Sequence, residues 1–593
     1  DFKRVKSNKG NSAIQIPQLV GDRLELAEDN IVNIRVVKDE KKQKVGEGVV
    51  SIINDEYQID FNNDINLNNL DNGFYIDVKV STRQFDIQRE IIKDFLERKI
   101  KIDHIESLLV NPDKVKNPIK KQVAFINEDL QRTKEEQPDN NQIKAVEKAI
   151  GNQNVFLIQG PPGTGKTTVI AEIIEQLTKK EEKILVAGQN HVAVDNVLEK
   201  ISKKPNLNLL RVGNIERIDE SLVKYCYENL VEEYKLDFRN FITNQKELTK
   251  LLLEFNKNNS EVVEQKNRFK DKVYQLAQNY NSQKEKFIQK HFLLRDNVSN
   301  LSEQELIETI IILENWENSF SKEYEILLQP FIYNSVDVVF ATCIGIKGDK
   351  IFRETNFKFD TVIIDEAGKA NIAESLVAME LGKKIILVGD QMQLPPYMDS
   401  SLLDKNDKNS FPNSIYGYGF TEDEIAHALK TSFFEFIVNR IDVDLFPKDN
   451  KEMLNYQHRM HPNIGKFVSE SFYGAEVEMG SRTHLNRLNL PAPFDKEIIF
   501  FDTSNTTNPY EIKSENAVKN DTEAEYISEF ILPELFKNEI DKKNIAIIAP
   551  YKFQVSNIKN FIKKSTLCQQ KNIDVATLDS FQGKEYDIII FSF

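Results

Sequence analysis

At 593 residues, with 40% apolar and 29% charged side chains, the chain is too long for one hydrophobic core and too apolar for disorder, so it divides into roughly three to five globular units. Its apolar runs, such as IETIIIL and YDIIIF, fall far short of the roughly 20 residues that span a bilayer, so no membrane segment is expected. A formal net charge of -15 excludes a basic coat over the whole surface but not a local positive channel.

Residues 1–90 read as a β-rich accessory unit, because NIVNIRVV, GEGVVSIIN, YQIDF and FYIDVKV are short alternating or aliphatic runs broken by Asn, Asp and Gly. From Gln84 to Leu108 the period turns helical, with Ile87, Ile91, Phe95 and Leu96 spaced for one face, and residues 91–135 read as a connecting helix and linker. Within it, NPDKVKNPIKKQ is a basic stretch with two prolines that reads first as a solvated connector. Over 136–213 aliphatic strands alternate with helical stretches, VFLIQ before a helix from Lys166 and KILVAG before a helix from Val192, which predicts a parallel α/β sheet.

Residues 214–329 contain neither Gly nor Pro and interrupt that pattern as a helical insertion. Leu248, Leu252, Phe255, Val262, Phe269, Val273, Leu276, Tyr280 and Phe287 follow steps of three and four, which predicts an antiparallel hairpin, with a dimerising coiled coil as the alternative. Such an insertion offers a surface to a protein partner. The α/β pattern resumes over 330–445 with VDVVFATC, TVIIDEAG and KKIILVGD, and residues 446–593 form a second α/β unit with EIIFFD, NIAIIAP, IDVATL and YDIIIF. The chain opens without Met and stops at Phe593 inside an apolar run, so it reads as a fragment and the second unit as incomplete. Cys226, Cys343 and Cys568 are too far apart for a disulfide framework or a local metal pair, which fits packing roles, a reducing compartment and an intracellular location.

GPPGTGKTT fits a phosphate-binding loop, after a strand and opening a helix, with Gly160, Pro161, Pro162, Gly163, Thr164, Gly165, Lys166, Thr167 and Thr168 in register. Glycines let backbone N–H groups wrap a β-phosphate, Lys166 neutralises β and γ oxygens, and the Thr167 hydroxyl ligates Mg²⁺. TVIIDEAG ends a strand with Asp365, placed to hold the magnesium, and Glu366, placed to activate water. ILVGDQMQLPP carries Asp390 and Gln393, whose amide can contact a γ-phosphate or the attacking water, although a polar strand-end turn alone would look the same. LNYQHRMHP supplies Arg459 from the second α/β unit, a guanidinium to reach across a cleft to the transferring phosphoryl group. His458 and His461 lack a nearby third ligand and read as structural rather than metal-binding.

With these motifs the sequence resembles the superfamily 1 helicases of the branch that contains the nonsense-mediated-decay helicase and senataxin. GDQMQLPP and QHRMHP are the branch-specific marks, supported by IAPYKFQ and TLDSFQGKE, and the likeness covers Asn140 to Phe593. The resemblance implies two RecA-like domains, a small β-barrel inserted in or placed ahead of the first, and ATP-driven movement in the 5′-to-3′ direction on single-stranded DNA or RNA. It implies that Gln142 reads adenine, that residues near Asn190, His191 and Asp195 face nucleic acid or brace that contact, that Pro550 and Tyr551 face nucleic acid, and that Gln582, Gly583 and Glu585 couple nucleotide to strand. His458 stands where the family usually has tyrosine stacked on adenine, and the family's last motif, with a further arginine, would lie past Phe593. An ATP-switched clamp or remodelling scaffold with little hydrolysis is the alternative, and a GTPase would need a guanine-reading NKxD-type motif that the chain does not show.

Overall fold

The structure is a computed structural model, and it describes residues 3–6, 12–17, 31–38, 41–53, 56–61, 63, 65–70, 73–78, 83–97, 99, 115–137, 139–204, 207–233, 246, 250, 332–354, 357–397, 421–514, 517–537, 544–565, 573–581 and 584–593. It divides into one compact unit formed by Asp1–Asp86 with Arg487–Phe593, and another formed by Ile87–Asn486.

The N-terminal residues form six strands, β1 (Lys3–Lys6), β2 (Ser12–Pro17), β3 (Ile31–Lys38), β4 (Lys41–Ile53), β5 (Glu56–Phe61) and β6 (Tyr75–Val78), in the order β1-β2-β5-β4-β3-β6 with every pairing antiparallel. The period-two pattern explains the layer, since Ile14, Val32, Ile34, Val50, Ile59 and Phe61 are all buried in one cluster. Among the described residues no pairing joins β1 to β6.

In the unit Ile87–Asn486 the sheet consists of β7 (Val155–Gln159), β8 (Ile184–Gly188), β9 (Leu209–Arg211), β10 (Val338–Thr342), β11 (Phe359–Asp365), β12 (Gly382–Gly389) and β13 (Lys451–Met453). Their order is β13-β7-β12-β11-β8-β10-β9, and all pairings are parallel. Strands β7 and β8 are buried along their whole length and carry apolar cores on both faces, which is why they appear in the sequence as unbroken aliphatic runs. Helix α1 (Arg83–Leu96) turns Ile87, Ile91 and Phe95 onto one of these cores, but Leu96 is 74% exposed, so the expected fourth position of that face points to solvent. This helix ends at Leu96, and residues 100–108, the rest of the stretch expected to be helical, lie outside the described residues.

Three further differences from the sequence reading concern boundaries, and one expectation falls outside the described residues. The segment from Ile215 to Val231, expected at the start of the insertion, packs Ile218, Leu222, Cys226 and Val231 into the cores of this unit. The positions expected to form the hairpin seam, Leu248 to Phe287, lie outside the described residues. The sheet does not end at residue 445, because β13 adds beside β7, with Asn450 donating its side-chain N–H to Val155 O at 2.7 Å and to Lys116 O at 3.1 Å. The following residues stay with this unit: β14 (Tyr456–Gln457) pairs in parallel with β15 (Glu478–Met479).

Residues Arg487–Phe593 contain the hairpin β16 (Ile512–Ser514) and β17 (Ala517–Lys519), and a parallel sheet of β18 (Ile545–Ala549), β19 (Ile573–Thr577) and β20 (Ile588–Phe591) in the order β19-β18-β20. Of the cysteines, Cys226 and Cys343 are buried, and Cys568 lies outside the described residues.

Candidate nucleotide site

The phosphate-loop motif lies where its sequence predicts, at the C-terminal end of β7 and the start of α2 (Lys166–Thr178). Gly163 and Gly165 take φ of 76° and 80°, a left-handed conformation that costs glycine nothing and turns backbone N–H groups inward. The cradle is anchored from three sides: Gly160 N–H donates to Gly389 O at 2.9 Å, the Thr164 hydroxyl to Pro161 O at 2.7 Å, and the Lys166 ammonium to Gly160 O at 2.7 Å. Gln142, expected to read adenine, donates its side-chain N–H to Thr164 O at 2.8 Å, so in this structure it braces the loop itself. It is held by a capped helix, with the Asn140 side chain accepting from Gln142 N–H at 2.8 Å.

Asp365 closes β11 and Glu366 follows with φ of 52°, a strained position for a side-chain-bearing residue. Burial first, and the adjacent Glu366 carboxylate second, push Asp365 up to about 7, while Lys166 draws it down. The Glu366 N–H donates to Asp365 Oδ1 at 2.9 Å, which fixes the pair's relative orientation. Thr167 and Asp365 supply a hydroxyl and a carboxylate, an all-oxygen set of the kind that suits magnesium. Past β12, Gln393 Nε2 donates to Asp390 Oδ2 at 2.8 Å.

The segment LNYQHRMHP lies directly on the phosphate loop, within the same compact unit. Leu454 N–H donates to Gln159 O at 2.8 Å and His458 N–H donates to Gly163 O at 2.9 Å, so the backbone is zipped along β7 and its loop. A Cβ placed on Gly163 would come within 2.7 Å of the Arg459 Cβ. Arg459 is therefore beside the cradle, in the compact unit Ile87–Asn486, where the short strand β13 pairs with β7 just ahead of it. Gln457 shapes the turn, its wholly buried Oε1 accepting from Arg459 N–H at 3.0 Å and Met460 N–H at 2.7 Å. His461 caps α3 (Pro462–Phe472), accepting from Asn463 N–H at 3.3 Å, and no group of three or more metal-binding side chains occurs among the described residues.

The candidate strand-contacting residues are arranged differently. Asn190 caps the helix His191–Ser202, accepting from Ala193 N–H at 2.9 Å. His191 Nδ1 is 3.1 Å from Arg211 Nη2; because a guanidinium only donates, that nitrogen accepts and the proton sits on Nε2. Burial first, then Arg211, depress His191 to about 4 and keep it neutral. Arg211 is itself buried and pairs with Asp195 through Nε at 2.7 Å, so Asp195 braces His191 through this arginine. In the other unit Pro550 and Tyr551 lie exposed just past the C-terminal end of β18, whereas Glu585 lies ahead of β20 and lines a cavity with Asn544, Asp574, Lys584 and Tyr586 at the opposite end of that sheet. Gln582 and Gly583 lie outside the described residues.

Sequence reading missed Arg211, Tyr473 and Lys200. The last donates to Thr168 Oγ1 at 2.6 Å and so links the phosphate loop to the helix that starts at His191. None of the three sits in a recognisable motif, and the burial of Arg211 at the end of β9 leaves no mark in the sequence.

Two family models, each described as an AAA domain, match residues 137–401 and 429–593. An uncharacterized ATP-dependent helicase of Methanocaldococcus jannaschii is 25% identical over 534 residues, covering 87% of this chain and 71% of that protein. Helicase sen1 of Schizosaccharomyces pombe is 27% identical over 550 residues, covering 82% of this chain, and the regulator of nonsense transcripts 1 homolog of Arabidopsis thaliana is 29% identical over 463 residues, covering 76%. The chain spans 29% of the length of each of these last two. The structure of PRRSV helicase overlaps 76% of this chain and 48% of its own at a TM-score of 0.24 and 10% identity, a likeness too weak to bear on the fold.

Proposed function

Because the chain belongs to the superfamily 1 helicases, in the branch that includes helicase sen1 and the regulator of nonsense transcripts, we propose that it is an ATP-driven motor that moves 5′-to-3′ on single-stranded DNA or RNA and opens duplex ahead of it. The observation that carries this reading is the meeting of Arg459 with the phosphate loop, sealed by the His458–Gly163 hydrogen bond of 2.9 Å. A phosphate cradle, an acidic strand end and an arginine in one place make a site for phosphoryl transfer to water.

In this reading Lys166 neutralises the β and γ oxygens, Glu366 takes a proton from the attacking water, Gln393 orients that water and Arg459 stabilises charge on the transferring group. Thr167 and Asp365 would hold magnesium, which when bound supplies positive charge to the phosphate oxygens. The parallel sheet from β7 to β13 reads as the first RecA-like domain and that of β18 to β20 as part of a second. The N-terminal sheet reads as the small barrel, and the insertion as a docking element for a protein partner. Neutral His191, with its Nε2 proton available as a donor, and the exposed Tyr551 ring suit a phosphate oxygen and a stacked base respectively.

The test is steady-state ATP turnover with no polymer, single-stranded DNA or single-stranded RNA, followed by unwinding of duplexes with 5′ or 3′ overhangs. Turnover stimulated by one polymer, lost in Lys166→Ala, and unwinding only from a 5′ overhang is the expected result. Turnover undiminished in Lys166→Ala would refute the site, and ATP binding without stimulated turnover would favour a nucleotide-switched clamp.

A further inference from the structure

The carboxylate of Asp390 joins two segments that lie 83 residues apart in the chain. Its Oδ2 accepts from the Tyr473 hydroxyl at 2.6 Å and from Gln393 Nε2 at 2.8 Å, and its Oδ1 accepts from Met392 N–H at 3.2 Å. Asp390 is 3% exposed and Tyr473 8% exposed, so water is poorly placed to replace either side-chain donor. Burial and the neighbouring carboxylate hold the Tyr473 phenol well above its usual range, and it stays a donor at every working pH.

An amide has two N–H donors and one carbonyl acceptor. Asp390 engages one of the two in Gln393, which fixes the plane of the amide and leaves the other N–H and the carbonyl for a phosphate oxygen and a water. Tyr473 closes α3, whose first turn follows directly on Arg459, Met460 and His461. One hydroxyl therefore ties the glutamine-bearing strand end to the segment that carries the arginine.

We propose that Tyr473 is a positioning residue for the terminal phosphate: through Asp390 it holds Gln393 in register with Arg459, so that both engage a γ-phosphate together. This inference rests on the ATPase reading above. Neither residue contacts the α- or β-phosphate in this scheme, so the hydroxyl matters for ATP and not for ADP.

The experiment compares binding of fluorescent ADP and of a fluorescent non-hydrolysable ATP analogue to the wild type, Tyr473→Phe, Gln393→Ala and the double variant, with ATP turnover measured alongside. For Tyr473→Phe the expected result is unchanged ADP affinity, about tenfold weaker binding of the analogue, the scale of one hydrogen bond to a charged group, and a matching fall in kcat. In the Gln393→Ala background the same substitution should add little, because Tyr473 acts through that glutamine. Equal weakening of both nucleotides would assign Tyr473 a purely structural role and overturn the proposal, as would additive effects in the double variant. ADP binding reports whether each variant is folded. A wild type that hydrolyses no ATP would defeat the ATPase reading itself, whereas an active wild type with an indifferent Tyr473→Phe defeats only this inference.

Discussion

Gly163 shows how narrowly the site is built at the level of single residues. Its φ of 76° makes any side chain costly, and an added Cβ would stand 2.7 Å from that of Arg459. Gly474 offers an internal control, because it takes φ of 56° with nothing within 4 Å of an added Cβ. Both substitutions to Ala carry roughly 1 kcal/mol of backbone strain, but only Gly163→Ala forces apart the loop and the arginine. Gly163→Ala should lower kcat at least about tenfold, while Gly474→Ala lowers Tm and leaves turnover near wild type. Equal kcat values for the two variants would show that contact between Gly163 and Arg459 is irrelevant to hydrolysis. At this scale the sequence was most legible where chemistry demands fixed spacing, as in Gly160 to Thr168, and least where a residue acts across space, as Arg211 does on His191.

Among elements, β13 decides where the arginine goes. The strands β7, β8, β11 and β12 are legible because a parallel sheet covered on both faces needs continuous aliphatic runs. KEM over Lys451–Met453 has none of this character: it is three residues long, carries two charges and lies at the sheet edge. Nothing local tells which sheet so short a strand will join, and that is why residues 446–486 read as part of the second α/β unit. Its attachment depends on polar contacts instead. Asn450 is fully buried and bonds the backbone of Val155 and Lys116, Asn141 Nδ2 donates to Met453 O at 2.9 Å, and Lys148 pairs with Glu452 at 3.1 Å. Asn450→Ala leaves the buried Val155 carbonyl without this donor, and loses the partly buried bond to Lys116 O, and should cost about 1–3 kcal/mol in chemical denaturation. Because β13 leads straight into the Leu454–Gln159 and His458–Gly163 pairings, kcat should fall as well. A variant that loses stability but hydrolyses ATP at the wild-type rate would show that the edge strand does not position Arg459.

At the scale of the whole molecule, the described nucleotide-site residues Gln142, Gly160 to Thr168, Asp365, Glu366, Gln393, His458 and Arg459 all fall in Ile87–Asn486, while Pro550, Tyr551 and Glu585 fall in the other unit. The acidic balance of the chain, -15 overall, gave no hint of this partition, because net charge is a sum that says nothing about where a site is assembled. The partition has a consequence for a fragment limited to residues 87–486. It carries its own two apolar cores and the complete phosphate cradle, so it should fold and bind ADP with an affinity close to that of the full chain. Stimulation of turnover by single-stranded DNA or RNA should be lost, because the fragment lacks Pro550 and Tyr551, the proposed strand contacts of the other unit. Titration of fluorescent ADP into both proteins, with turnover measured in the presence and absence of polymer, separates the two halves of the expectation. A fragment that fails to bind ADP while retaining a cooperative unfolding transition would place part of the nucleotide site in Arg487–Phe593, where the resemblance puts Glu585. A fragment that keeps full polymer stimulation would confine the strand-responsive machinery to Asn190, His191 and their neighbours.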